Sequence, residues 1–203
     1  EEFDYFALSA LYFPYYTKKE IYPLVHEIRT GEKVSDKLPK DFYDYRKEVE
    51  FNNHNLTNFS PFVKYLTYLL NNMAMEKVSS ENNSLSDQAL DLNIAKLNIT
   101  DTLFENVDIK NTVLNNIAFA YLLEDQHIVN NQKFLDRYNQ LSTDKSNQNE
   151  ITKIGNSIQM LKEGNSLPAL DLFTLTGEAV NSKSVIKGKS VIFFWTENAE
   201  SHF

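Results

Sequence analysis

Cysteine is absent from all 203 residues. No disulfide framework, thiolate zinc site or dithiol–disulfide catalysis can be built from this chain alone, although the absence leaves the compartment open. Positive charge is scarce as well, with 20 Lys and Arg against 28 Asp and Glu, a net charge of −8 and a pI near 5.0. Nucleic acid and anionic lipid both reward clustered Lys and Arg, so neither is expected as a partner. No apolar run approaches the ~18 residues that a bilayer-spanning helix needs. The sequence opens at Glu1 without Met, signal peptide or lipoprotein box, so it reads as a mature or trimmed product, with any export signal out of view and room for a lipid anchor upstream of Glu1. His26, His54, His127 and His202 lie far apart, without metal-ligand spacing. Carboxylates such as Glu27, Glu48 and Asp136 are scattered over helix polar faces, and no catalytic pair stands out. No metal or cofactor is expected.

What is present is enough apolar residue, 42% of the chain, to build real cores. Residues 1–163 carry almost no strand signal and read as an all-helical domain, an irregular bundle without a repeat period. Phe3 to Phe13 is aromatic-rich and ends at Pro14, helical or extended. Thr17-Lys18-Lys19-Glu20 has the spacing of a capping box, followed by Ile21, Leu24, Val25 and Ile28 on one face and Gly31 as a stop. Asp41 to Phe51 places Phe42, Tyr45 and Val49 at helical spacing. Ser60-Pro61 reads as N-cap and first-turn proline before the stripe Phe62, Leu66, Leu69, Leu70 and Met73. Ser80 to Ser84 is a polar loop, and Ser86 is expected to cap a helix with Ala89, Leu92, Ile94 and Leu97. Asp108 is expected to cap a helix that turns Val113, Leu114, Ile117 and Tyr121 inward, and Asp125 one containing Ile128, Phe134, Leu135 and Tyr138. Ser142 to Asn149 reads as a loop before a last amphipathic helix with Ile151, Ile154, Ile158 and Leu161.

Residues 164–203 change character. Leu170 to Leu175, a Thr176-Gly177 turn and Glu178 to Val180 read as a hairpin. Ser182 to Ile186 suits one helical turn ended at Gly188. Ser190 to Trp195 is a continuous β-branched and aromatic run, the pattern of a strand buried on both faces. Asn198 then suits the N-cap of a helix beginning at Ala199.

Gly164, Leu167, Pro168, Leu170, Leu172, Gly177, Val180, Gly188, Lys189, Phe194 and Trp195 follow, in order and spacing, the pattern that opens a TlpA/ResA-like domain. The stretch thus resembles that branch of the thioredoxin superfamily over about the last fifth of the chain. The resemblance implies that two motif cysteines would fall on Ala199 and His202, so that Cys-x-x-Cys has become Ala199-Glu200-Ser201-His202. Thiol exchange needs a thiolate nucleophile, which alanine cannot supply. His202 has no neighbouring group to activate, and Ser201 lacks the strained Gly-x-Ser-x-Gly turn of a hydrolase. The expected fold is therefore mostly α: a helical bundle over 1–163 followed by the incomplete start of a thioredoxin-like domain over 164–203. A strand as apolar as Val191 to Trp195 needs neighbours on both edges, so the protein is expected to continue beyond Phe203.

By its layout the chain resembles exported thioredoxin-like proteins of the bacterial envelope. That implies a periplasmic or envelope location, with lipid anchoring at the outer membrane. The leading expectation is a redox-inactive binding or scaffolding protein working through protein–protein contacts. The alternatives are a thiol-disulfide oxidoreductase whose cysteines lie outside this segment, and a structural subunit of an outer-membrane complex. Two contact regions are expected. One is the motif loop, with Trp195 and Thr196 beside Ala199 to His202. The other is the N-terminal aromatic cluster of Tyr5, Phe6, Tyr12, Phe13, Tyr15, Tyr16 and Tyr22, which reads either as helix packing or as a contact patch centred on Tyr12, Tyr15 and Tyr16. Asp101-Thr102-Leu103 matches a triplet that some bacterial envelope O-glycosylation systems use.

Overall fold

Pro14 and Pro23 each lack the N–H that a helix interior needs. In the computed structural model, which describes residues 2–78, 85–124 and 128–192, helix α1 nevertheless runs through both, Glu2–Thr30. The aromatic N-terminal stretch is thus helical. The capping box expected at Thr17 is not a helix start: Thr17 is buried in mid-helix, and its Oγ1 donates to the Phe13 carbonyl at 2.7 Å. Glu20, the box's fourth residue, turns into the core instead of back to a cap. Gly31 does end the helix, with φ 73 and an N–H donated to the Glu27 carbonyl at 2.8 Å.

The link to the next helix consists of 3-10 turns at Ser35–Lys37, Asp44–Glu48 and His54–Leu56. The helix expected over residues 41–51 is therefore only a short tight turn. Tertiary bonds from Tyr45 and Arg46 to Glu20 outweigh a weak helical preference there. Helix α2, Ser60–Lys77, starts one residue earlier than expected, with Phe59 at its cap position and Pro61 in its first turn. Helix α3, Leu85–Leu103, likewise already contains Ser86, and it extends over Thr100 to Leu103.

Helix α4 is Val107–Glu124. Its cap is Asn106 rather than Asp108: Asn106 Oδ1 accepts from the N–H groups of Asp108 and Ile109 at 3.0 and 3.1 Å. The amide of Asn52 fixes the same corner by accepting from the N–H groups of Glu105 and Asn106. Helix α5 is Ile128–Leu141 and α6 is Lys145–Met160. The loop expected over Ser142 to Asn149 is mostly the first turn of α6. Asp144 Oδ1 accepts from the N–H groups of Ser146 and Asn147, and buried Gln148 donates to the Asn139 and Ser142 carbonyls. Polar composition suggests a loop, but these side chains satisfy a helix N-terminus. The loop expected at Ser80 to Ser84 and the Asp125 cap lie outside the described residues.

The unit Glu1–Gln159 holds one core. Helix α1 packs on α2, α2 on α3, and α3 on both α4 and α5. Phe62, Leu66, Leu69 and Leu70 of α2 are buried, as are Val113, Leu114, Ile117 and Tyr121 of α4, and Phe134, Leu135 and Tyr138 of α5. Gly155 lets α6 approach α5, since a Cβ there would lie 2.6 Å from Leu135 Cδ1.

In the unit Met160–Phe203, β1 (Asp171–Phe173) pairs antiparallel with β2 (Ala179–Asn181), Leu172 opposite Val180. Gly177, at φ 85, donates to the Thr174 carbonyl and closes the turn. The short helix α7, Ser182–Val185, follows, and Leu170 N–H donates to Ser182 Oγ at 2.9 Å. The buried strand expected over Ser190 to Trp195 is not found in its described part. Ser190 to Ile192 form no strand, and Val191 is 88% exposed. A strand forms through its ladder partners, and no third strand is present among the described residues. A two-stranded hairpin is shared by many folds and does not single one out.

Candidate functional site

The aromatic cluster divides by helix face. On the inner face of α1, Phe13 is 6% exposed and meets Phe62 and Tyr65 at ring-centroid distances of 5.0 and 5.6 Å. Tyr16 stacks on Tyr45 at 4.5 Å. One turn further along, Glu20 is buried and its carboxylate is saturated. Tyr45 Oη donates to it at 2.6 Å, Arg46 Nε and Nη2 at 2.8 and 2.7 Å, and Asn72 Nδ2 at 2.7 Å. A buried carboxylate survives only with such pairing. The Arg46 guanidinium also lies 3.9 Å from the centre of the Tyr43 ring, and Lys19 Nζ sits 4.5 and 4.7 Å from the centres of Tyr45 and Phe42.

The electrostatics follow from this burial. The Tyr45 hydroxyl is held above the ordinary tyrosine range by burial first, then by its bond to Glu20 and that group's charge. Burial would make Arg46 shed its proton more readily, but the bonds and charge of Glu20 reverse this and hold it above its usual value. Burial and the Glu20 charge push Tyr65 up too, and its hydroxyl has no hydrogen-bond partner among the described residues. These groups lock α1 to the 43–46 turn and to α2.

The outer face differs. Leu8, Leu11, Tyr12, Tyr15 and Tyr22 are all exposed, Leu11 at 70% and Tyr15 at 57%. Tyr12 lies stacked beside Tyr16 at 6.1 Å, and Tyr15 beside Tyr16 at 6.0 Å. The expected contact residues Tyr12 and Tyr15 thus share one apolar face, while Tyr16 is half-buried and belongs to the core-facing side. Sequence reading missed Leu8 and Leu11 on that face. It also missed Glu20, Arg46 and Asn72 as a network. The helical spacing of residues 8, 11, 15 and 22 was a usable signal, hidden by Pro14.

Trp195, Thr196, Ala199, Glu200, Ser201 and His202 lie outside the described residues, so the expected degenerate motif has no geometry to report. Thr102 of the Asp101-Thr102-Leu103 triplet sits in the last turn of α3 with its hydroxyl donated to the Ile99 carbonyl at 3.0 Å. His26 is bonded through Nδ1 to Thr30 Oγ1 and the Glu32 carbonyl, both at 3.2 Å. Among the described residues no three His, Cys, Asp or Glu side chains converge as metal ligands. A cleft between α2, α3 and α4, floored by Leu66, Leu70, Val113 and Ile117, holds about 140 Å³. Cofactor sites run to roughly 300–1,000 Å³, so it is small for one. No family model, curated protein or solved structure matches the chain.

Proposed function

We propose that this chain is a non-enzymatic binding or scaffolding protein whose helical domain makes the contacts. The observation that carries this reading is the outer face of α1, where two leucines and three tyrosines stand open on the side away from the core. Contiguous apolar surface of this kind is costly to leave in water and marks contact sites, and tyrosine immobilises at low entropic cost. The absence of cysteine supports the same reading, since it removes thiol chemistry from this stretch. In this proposal residues 164–203 belong to a thioredoxin-like domain that has lost its thiols, and the protein works in the bacterial envelope.

Replacing Tyr12 and Tyr15 together by Ser tests it. Both side chains are more than half exposed, so the thermal midpoint should stay within a few degrees while association through this face is lost. A variant that unfolds would assign both tyrosines to the core. Association that survives in a folded variant would place the contacts elsewhere. Disulfide reduction by the full-length protein, measured as insulin precipitation, would contradict the non-enzymatic reading.

A further inference from the structure

The outer face of α1 carries more than apolar area. Asp4, Leu8, Leu11, Tyr15, Lys18, Tyr22, Val25 and Arg29 follow alternating steps of four and three residues, the spacing of a helix–helix seam. All are exposed except Val25, which is half-buried. Pro14 and Pro23 fall beside this line and not on it. The order of types along the seam is its informative property. Acid stands at one end and base at the other, with leucines toward the first and Tyr22 and Val25 toward the second.

We infer that this seam is completed by a second copy of the same chain, its α1 lying antiparallel across the first. This rests on the reading of the α1 face as a contact surface and names the partner. Antiparallel inversion about a point between Tyr15 and Lys18 produces four kinds of layer, each occurring twice. Asp4 meets Arg29 of the other copy, Leu8 meets Val25, Leu11 meets Tyr22, and Tyr15 meets Lys18. Every layer is complementary: an ion pair at each rim, apolar pairs inside, and an ammonium beside an aromatic ring at the centre. A parallel arrangement would instead set Asp4 against Asp4, Lys18 against Lys18 and Arg29 against Arg29, which like-charge repulsion opposes.

Size agrees. Aromatic side chains bury about 150–250 Å² each when covered, so the exposed leucines and tyrosines of this face, with Phe3, offer on the order of 600 Å² per copy. A standard interface covers roughly 800 Å² per partner, and the flanking polar side chains make up much of the difference. A lipid surface fits less well. Asp4, Lys18 and Arg29 lie in the seam itself, and the net charge of −8 repels anionic headgroups.

The cysteine-free chain permits a clean test. Leu11→Cys and Tyr22→Cys are made as separate variants of the whole chain and exposed to a mild oxidant, alone and mixed. In the antiparallel pairing each cysteine lies about 16 Å along the axis from its own copy, at roughly 1.5 Å per residue. A disulfide needs Cα atoms within roughly 7 Å. A cross-linked dimer is therefore expected in the mixture and not from either variant alone. Cross-linking of either variant alone would overturn the antiparallel pairing. No cross-link in any sample, with both variants folded by circular dichroism, would overturn the second copy as partner. Neither result bears on the tyrosine variant above, so failure of this inference is separable from failure of the wider contact reading. A charge swap checks the register: Arg29→Asp should weaken the dimer about threefold, and adding Asp4→Arg should restore it. Failure of the second change to restore what the first removes would overturn the Asp4–Arg29 layer.

Discussion

Tyr15 and Tyr16 are neighbours in sequence with opposite surroundings. Tyr16 faces inward and stacks on Tyr45 at 4.5 Å, beside the saturated Glu20 carboxylate. Tyr15 faces outward and is 57% exposed, in line with Leu8, Leu11 and Tyr22. Residue type does not separate the two faces of α1, because both are rich in aromatic and aliphatic side chains. Position on the helix does, through what stands opposite. The inner face has α2 and the 43–46 turn as its cover, whereas on the outer face, among the described residues, Tyr22 meets the Phe42 ring at 6.1 Å and Leu8, Leu11 and Tyr15 stay exposed. An exposed face contributes little to folding, and on the reading proposed above it serves association.

That comparison can be sharpened from the inner side. Glu20→Leu removes the one acceptor shared by Tyr45, Arg46 and Asn72. Arg46, largely buried, then keeps only the exposed Glu76 carboxylate at 3.8 Å and the Tyr43 ring, and the unfolding free energy should fall by about 3 kcal/mol, read from urea denaturation. An effect as small as that of an outer-face change would mean the network does not hold α1 in place.

Alkaline titration comes next. Tyr45 and Tyr65 are held above the ordinary value of 10.0, the first by burial and Glu20, the second by burial. Their contribution to stability is fully present below pH 10, the unfolded value, and is lost as pH rises from there toward the folded values. Unfolding and tyrosinate absorbance should therefore rise together above pH 10. Early, non-cooperative titration of all the tyrosines would contradict the burial.

The smallest expected effect is at Tyr65, whose buried hydroxyl has no partner among the described residues. Tyr65→Phe should be neutral or stabilising by up to about 1 kcal/mol, because it removes a desolvated group and breaks no bond. A clear loss of stability would show that this hydroxyl is bonded in solution.

The mostly α architecture was legible in the sequence because periodic apolar stripes such as Phe62, Leu66, Leu69 and Leu70 report a face directly. The hairpin was legible from Thr176-Gly177 between two short apolar runs. Helix ends were less so. Thr17 to Glu20 has cap spacing but serves mid-helix, and Asp144 with Gln148 turns a polar stretch into a helix start. In both places the deciding partners are distant in sequence or depend on backbone already in place. The strand expected at Ser190 failed in its described part for a related reason, since apolar content promotes a strand only where a ladder partner stands beside it. Of the candidate site, Tyr12 and Tyr15 were legible and the seam was not. Two prolines interrupted the helical reading, and the whole period appears only when α1 is followed from Glu2 to Thr30.

The most direct measurement of the central claim is sedimentation equilibrium of this chain over a wide concentration range, beside a variant carrying Leu11→Asp and Tyr15→Asp. The account predicts a concentration-dependent rise from the 23.5 kDa monomer mass to twice that value for the parent chain, and a monomer throughout for the variant, with the two equally helical. A parent chain that stays monomeric at every concentration, or a variant that dimerises as strongly as the parent, would contradict it.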